Sequence, residues 1–180
     1  MNEIETKVLD VDSEKIKNKL EELGAQKIQD TRLVVDWYGP KGLTHKGDDP
    51  WFLRVRTYGN GNNEVTWKGN RNFLGASSAH KEINFKVEDK NAIESLFLEL
   101  DLEHYAHQEK DRVSWKYKDW QFDLDQYPGM PAYLEIEGKS EESIQEALAL
   151  LDLKEKIATP KGERAVISEN YGLDWYKILF

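Results

Sequence analysis

Phe122-Asp123-Leu124-Asp125, the loop Pro128-Gly129-Met130-Pro131, and Tyr133-Leu134-Glu135-Ile136-Glu137 together form the stretch that decides the fold. Successive strand residues point to opposite faces, so Phe122, Leu124, Leu134 and Ile136 share an apolar side while Asp123, Asp125, Glu135 and Glu137 share a charged one. The same separation recurs toward the N-terminus. Glu3, Glu5 and Lys7 oppose Ile4 and Val8; Arg54 and Arg56 oppose Leu53 and Val55; Thr66 and Lys68 oppose Val65 and Trp67; Lys110, Arg112 and Ser114 oppose Val113 and Trp115. Period-two alternation predicts strands near 2–9, 27–38, 51–58, 64–69, 79–87, 103–108, 109–118, 119–126 and 132–138, nine segments for a sheet of about eight strands. Gly59-Asn60-Gly61-Asn62-Asn63 signals a hairpin and Lys118-Asp119 a tight turn, while the loops 39–50 and 70–78 are long enough to act as flaps over a site.

Three segments switch to helical periodicity. Ile16, Leu20 and Leu23 lie on one face of Ser13–Leu23 with Gly24 as a stop; Ile93, Leu96, Phe97 and Leu100 follow the cap Asp89; Ile144, Ala147, Leu148 and Leu151 follow the cap Ser140. The apolar tail from Tyr171 to Phe180 is expected to add a terminal turn or helix, with Trp175, Tyr176 and Phe180 as core contacts rather than ligand contacts.

At 180 residues the chain suits one core, so a single domain over 1–180 is expected. A net charge of −9 argues against a dedicated nucleic-acid binder, which needs a basic surface, although it leaves room for a local basic pocket. Cysteine is absent, which excludes disulfides and thiolate metal sites. Neither a basic leader followed by an apolar stretch nor a run approaching about 18 apolar residues is seen, so the expectation is a cytoplasmic protein without a membrane partner. The four histidines are scattered, and His104 and His107 fall in a strand or loop rather than an HExxH helix, which argues against zinc.

A sheet with its apolar face on the helices and its charged face in water accounts for any one strand. Taken together, the strands are harder to explain that way, because like charges at i and i+2 repel unless countercharges lie among them. If the strands close into a barrel with the helices outside, the charged face becomes the interior, where an unpaired charge costs several kcal/mol. Each charge then needs an opposite charge, a metal or a bound ion. Carboxylate pairs suit a hard cation such as Mg²⁺ or Mn²⁺, and Arg and Lys pairs suit phosphate oxygens. The combination reads as a metal-polyphosphate site.

Glu3-Ile4-Glu5-Thr6-Lys7, Leu53-Arg54-Val55-Arg56, Val65-Thr66-Trp67-Lys68-Gly69, Lys110-Asp111-Arg112, and Asp125 followed by Tyr133-Leu134-Glu135-Ile136-Glu137 occur in the order and spacing of one family. The chain resembles the CYTH superfamily, or triphosphate tunnel metalloenzymes, which includes class IV adenylyl cyclases and thiamine triphosphatases. The resemblance implies an α+β fold in which eight antiparallel strands close into a barrel, the triphosphate tunnel, with helices packed outside. It implies Glu3, Glu5, Glu82, Asp125, Glu135 and Glu137 on the side of a Mg²⁺ or Mn²⁺ cofactor, and Lys7, Arg54, Arg56, Lys68, Lys110 and Arg112 on the triphosphate. Lys7, crowded by other cations or desolvated, is the expected general base. Where the family commonly has Arg-x-Glu-x-Glu, this chain reads His80-Lys81-Glu82-Ile83-Asn84, so Glu82 carries over while His80 and Asn84 do not; Pro131 stands where many relatives have Gly.

Three functions follow from this reading. The first is hydrolysis of tripolyphosphate or a small organic triphosphate, the second a class IV adenylyl cyclase, and the third a noncatalytic polyphosphate- or nucleotide-binding module. Trp51, Phe52 and Trp67 are candidates to stack a base, with strand alternation turning Trp67 toward barrel-helix packing. The expected partner is a small-molecule triphosphate, with a homodimer left open.

Overall fold

Among the described residues the alternating segments form β1 (Asn2–Val8), β2 (Gln26–Pro40), β3 (Phe52–Tyr58), β4 (Asn63–Leu74), β5 (Ser77–Val87), β6 (Leu102–Tyr117), β7 (Trp120–Gln126) and β8 (Tyr133–Gly138), and two short strands are added, β9 (Ala158–Thr159) and β10 (Lys177–Ile178). The computed structural model describes residues 2–46 and 49–180, and the side chains of Asn2, Glu3, Asn70, Arg71 and His80 lie outside that description. Eight strands pair antiparallel in the order β6-β2-β3-β4-β5-β1-β8-β7. β7 then returns to β6 through the pairs from Asp111↔Gln126 to Tyr117↔Trp120, so the ring closes into a barrel without free edges. The short strands are appended, β9 on β1 and β10, in parallel, on β6.

The apolar strand faces point outward, where helices cover them. Helices α1 (Ser13–Glu22) and α3 (Glu141–Leu150) bury Ile16, Leu20, Ile144, Ala147 and Leu148 with Val8, Trp115, Phe122, Leu124, Leu134 and Ile136. Helix α2 (Lys90–Glu99) sets Phe97 against Tyr38, Val55 and Val65. Each helix starts at a side-chain cap that satisfies otherwise orphaned N–H groups: Asp12 accepts from Glu14 and Lys15, Asp89 from Ala92 and Ser140 from Ser143. Gly24, at φ +73°, takes the left-handed conformation that ends α1.

Three expectations are corrected. Segments 103–108 and 109–118 are one strand, β6, because its ladder to β2 runs unbroken through Val35↔Gln108 and Val34↔Glu109; the bulge in this half of the strand lies earlier, at Tyr105. The 70–78 loop is instead largely ladder, since β4 runs to Leu74 and β5 starts at Ser77. The tail makes the expected turn, closed by the Lys177 N–H on the Asp174 carbonyl at 3.1 Å, but continues into the strand β10 rather than a helix, and the preceding segment forms a one-turn helix α4 (Glu163–Ala165) that widens to a π-helical turn over Val166–Asn170. Val166, Ile167, Trp175 and Ile178 join the interior residues Leu33, Val35 and Trp37 in a second cluster, so this segment helps fill the barrel. No described helix is long and apolar enough to cross a membrane.

Candidate functional site

Strand register sets the charges of the interior against one another. Lys7 lies opposite Glu135, Lys68 opposite Glu82, Arg56 opposite Glu64 and Arg112 opposite Asp125. Two directly opposed pairs carry like charge, Glu5 with Glu137 and Asp123 with Glu135. Such pairs destabilise a sheet unless a cation lies among them.

Around the first pair, the Lys7 ammonium reaches Glu5 at 3.2 Å and Glu135 at 3.5 Å, while Lys68 reaches Glu82 at 2.6 Å and Glu5 at 3.6 Å. One carboxylate oxygen from each of Glu5, Glu135 and Glu137 lies within 4.8 Å of the others. Burial, and then the charge of Glu5, push Glu135 up to about 8 against the pull of Lys7 and Arg112. An all-oxygen donor set of three carboxylates at a crowded anionic point fits a hard divalent cation, and the cluster can hold one.

A second network adjoins the first on the neighbouring strands β6 and β7, and Glu135 is common to both. Arg112 grips Asp125 through Nε and Nη2, each at 2.6 Å, and reaches Asp123 at 2.6 Å and Glu135 at 3.4 Å. Lys110 donates to Asp125 at 2.8 Å and also to Glu163, and the Tyr133 hydroxyl donates to Asp125 at 2.9 Å and Glu163 at 2.6 Å. Burial acts to raise both carboxyls, but Arg112 and Lys110 hold Asp125 below its usual value and Lys110 and Tyr133 hold Glu163 well below it. Arg56 pairs with Glu64 at 3.1 Å. Among the described residues Arg54 makes no ion pair; its guanidinium lies 5.6 Å from the Trp37 ring centroid.

These groups surround a cavity of about 840 Å³, within the range of small-molecule sites. Of the residues expected on the triphosphate, Lys7, Arg54, Arg56, Lys68 and Arg112 border it; of the carboxylates, Glu5, Glu82, Glu135 and Glu137 do. Lys110 and Asp125 do not border it. They are tied to each other and to Glu163, Arg112 and Tyr133, which places them in the wall behind the site. The side chain of Glu3 and that of His80 fall outside the described residues. Asn84 borders the cavity and donates to Glu82 at 2.7 Å, so the amide supports a neighbouring carboxylate where a second carboxylate is usual. Lys7 is flanked by carboxylates rather than cations, because register sets it between Glu5 and Glu135, but its side chain is buried, so of the two premises for a general base desolvation is met and cation crowding is not.

Glu163, Arg164, Trp37 and Tyr105 border the cavity without a signal in the sequence. Glu163 and Arg164 enter from α4, a segment with too short a period to read as a helix. Trp37, Phe52, Tyr105, Trp175 and Tyr176 form an aromatic side of the cavity, with Trp37 4.9 Å from Phe52 and 5.0 Å from Trp175. Trp175 and Tyr176, expected only in the core, thus also face the site, and Phe180 is exposed beneath the Arg32 guanidinium at 3.6 Å. Of the expected base-stacking candidates, Phe52 borders the cavity while Trp51 and Trp67 do not.

The CYTH domain model matches residues 1–165. Among solved structures, the PH1012 protein from Pyrococcus horikoshii OT3 is similar at 28% identity and TM-score 0.72, with 89% of this chain and 96% of that chain covered. A putative adenylyl cyclase from Hippeastrum, described as having a dominant triphosphatase activity, is similar at 14% identity and TM-score 0.69, covering 96% of this chain and 98% of that one. A putative adenylate cyclase from Vibrio parahaemolyticus is similar at 13% identity and TM-score 0.64, covering 99% and 92%. The last two likenesses concern the fold alone. The search of curated proteins gave no match.

Proposed function

The chain belongs to the CYTH domain family, and on that footing we propose that it is a divalent-metal-dependent triphosphatase acting on tripolyphosphate or a small organic triphosphate. The observation that carries this reading is the juxtaposition in one cavity of Lys7, Arg54, Arg56, Lys68 and Arg112 with the Glu5, Glu135 and Glu137 cluster. Polyphosphate is the ligand class that needs cations along its length and a metal at one side of it. Glu5, Glu135 and Glu137 are the residues assigned to Mg²⁺ or Mn²⁺, which when bound polarises the phosphoryl oxygens as a Lewis acid.

The chain's own groups do the rest. Arg54 and Arg56, one residue apart in face, offer guanidinium forks to successive phosphates, and Lys68 and Arg112 spread charge off the phosphoryl oxygens as they accumulate it. Lys7 holds a phosphate oxygen between Glu5 and Glu135. The wall of Lys110, Asp125, Tyr133 and Glu163, together with Asp123, fixes the orientation of Arg112.

A second reading, the class IV adenylyl cyclase, draws on the aromatic side of the cavity, where Phe52 and Trp37 are available to stack a purine. Cyclisation demands more, since a 3′-hydroxyl must be aligned on the α phosphorus and a misplacement of about 1 Å costs on the order of a hundredfold. Chromatography of products from tripolyphosphate and from ATP, each with Mg²⁺ or Mn²⁺ at matched concentrations, separates the readings. Faster orthophosphate release from tripolyphosphate is expected. Dominant cyclic AMP and pyrophosphate would establish the cyclase instead, and absence of both products a noncatalytic binding module.

A further inference from the structure

On the outer face of the barrel, away from the charged interior, Asp36 of β2 gathers two imidazoles. Its Oδ1 lies 2.9 Å from His104 Nε2 and 2.6 Å from His107 Nδ1, and one ligand atom from each of the three residues lies within 4.8 Å of the others. Residues three apart on a regular strand point to opposite faces, so the sequence spacing of His104 and His107 hides their association. The bulge supplies the missing step: Trp37 pairs with Ala106 and Tyr38 with His104, which leaves Tyr105 as the extra residue and turns both imidazoles to the side of Asp36. His107 is directly opposite Asp36, and its backbone N–H is pinned at 3.0 Å by the Tyr176 carbonyl next to β10.

We propose that Asp36, His104 and His107 form a binding site for a borderline divalent cation of the zinc class, separate from the hard-cation cluster of the interior. Two imidazole nitrogens and one carboxylate oxygen suit Zn²⁺, whereas Mg²⁺ prefers oxygen alone. Tetrahedral ligands at about 2.0–2.1 Å lie about 3.3 Å from one another, so the observed separations need only small rotations of the three side chains to admit the ion. Asp36 itself is 5% exposed and so cannot swing away, while its other oxygen is occupied by the Lys90 ammonium of α2 at 2.7 Å. That bond orients Oδ1 toward the imidazoles, the part that an outer hydrogen bond plays for a ligating carboxylate. The His104 and His107 side chains are 42% and 37% exposed, so the ion has a path from solvent and a fourth position open to water.

The test is calorimetric titration of metal-free protein with ZnCl₂ in excess Mg²⁺, on the parent, His104→Ala, His107→Ala and His107→Gln. Any Zn²⁺ taken by the interior carboxylates persists in all four, so the site is read from binding that the histidine variants lose. One Zn²⁺ equivalent fewer, or weakening of that equivalent by more than about a hundredfold, is expected in each variant. Because both histidines are partly exposed, circular dichroism in the absence of metal should match the parent. Identical Zn²⁺ isotherms in the parent and the folded variants would overturn the proposal and leave Asp36 as a hydrogen-bonded carboxylate only.

Discussion

Replacing Asp125 by Asn tests whether the wall behind the cavity holds the barrel interior together. Asp125 is fully buried and accepts two hydrogen bonds from Arg112 at 2.6 Å each, one from Lys110 at 2.8 Å and one from Tyr133 at 2.9 Å. Asn keeps the volume but removes the charge and turns an amide N–H₂ toward one of the two cations. Removing one partner of a buried ion pair costs about 3–5 kcal/mol, since the other charge is left in a medium that solvates it poorly. Arg112 retains Asp123 and Lys110 retains Glu163, which argues for the low end, about 3 kcal/mol. For a chain of this length each kcal/mol lowers Tm by roughly 2–4 °C, so the expected loss is roughly 6–12 °C. Scanning calorimetry of Asp125→Asn beside Asp111→Asn supplies the contrast, because Asp111 bonds Arg32 on the exposed outside of the barrel. Equal Tm values for the two variants would falsify the claim that buried pairing, rather than surface charge, stabilises this wall.

Further expectations concern chemistry and pH. Arg56→Ala and Glu135→Gln each lower kcat/KM by at least about tenfold on the best triphosphate, a loss of ~1.4 kcal/mol of transition-state stabilisation, while Lys17→Ala on the α1 surface leaves it unchanged; steady-state kinetics on folded protein decide. Phe52→Ala raises KM for an organic triphosphate while leaving that for tripolyphosphate alone, and an equal change in both would remove the aromatic side of the cavity from substrate recognition. Glu163 is held well below its ordinary 4.5, so its stabilising contribution is complete above that value and is lost as pH falls toward the folded one. Tm measured from pH 6 to about 2 should therefore fall less steeply in Glu163→Gln than in the parent.

Much of this architecture was legible because alternation is a local property. Glu5 and Lys7, Arg54 and Arg56, and Glu135 and Glu137 could be assigned to one face from spacing alone, and the caps Asp89 and Ser140 began helices where expected. Pairing across strands is a different matter. Which cation meets which carboxylate depends on register, and no spacing within a strand predicts that Lys7 lies between Glu5 and Glu135 or that Lys110 is taken up by Asp125 and Glu163. The Tyr105 bulge shifts the phase of β6 between His104 and Ala106 and so conceals the relation of His104 to His107. The C-terminal segment hid for a further reason: Glu163 and Arg164 sit on a single turn, too short to carry a period, and are held in place by tertiary contacts.

Metal and triphosphate are proposed to meet in one cavity, and the melting temperature measures that directly. The parent is heated alone, with Mg²⁺ or Mn²⁺, with a nonhydrolysable triphosphate, and with both. A ligand at about 100 times its Kd stabilises by roughly 2.7 kcal/mol, and a metal held between the Glu5, Glu135 and Glu137 cluster and the phosphates should make the combined shift larger than the sum of the separate ones. A Tm indifferent to the combination, across both metals, would contradict the account.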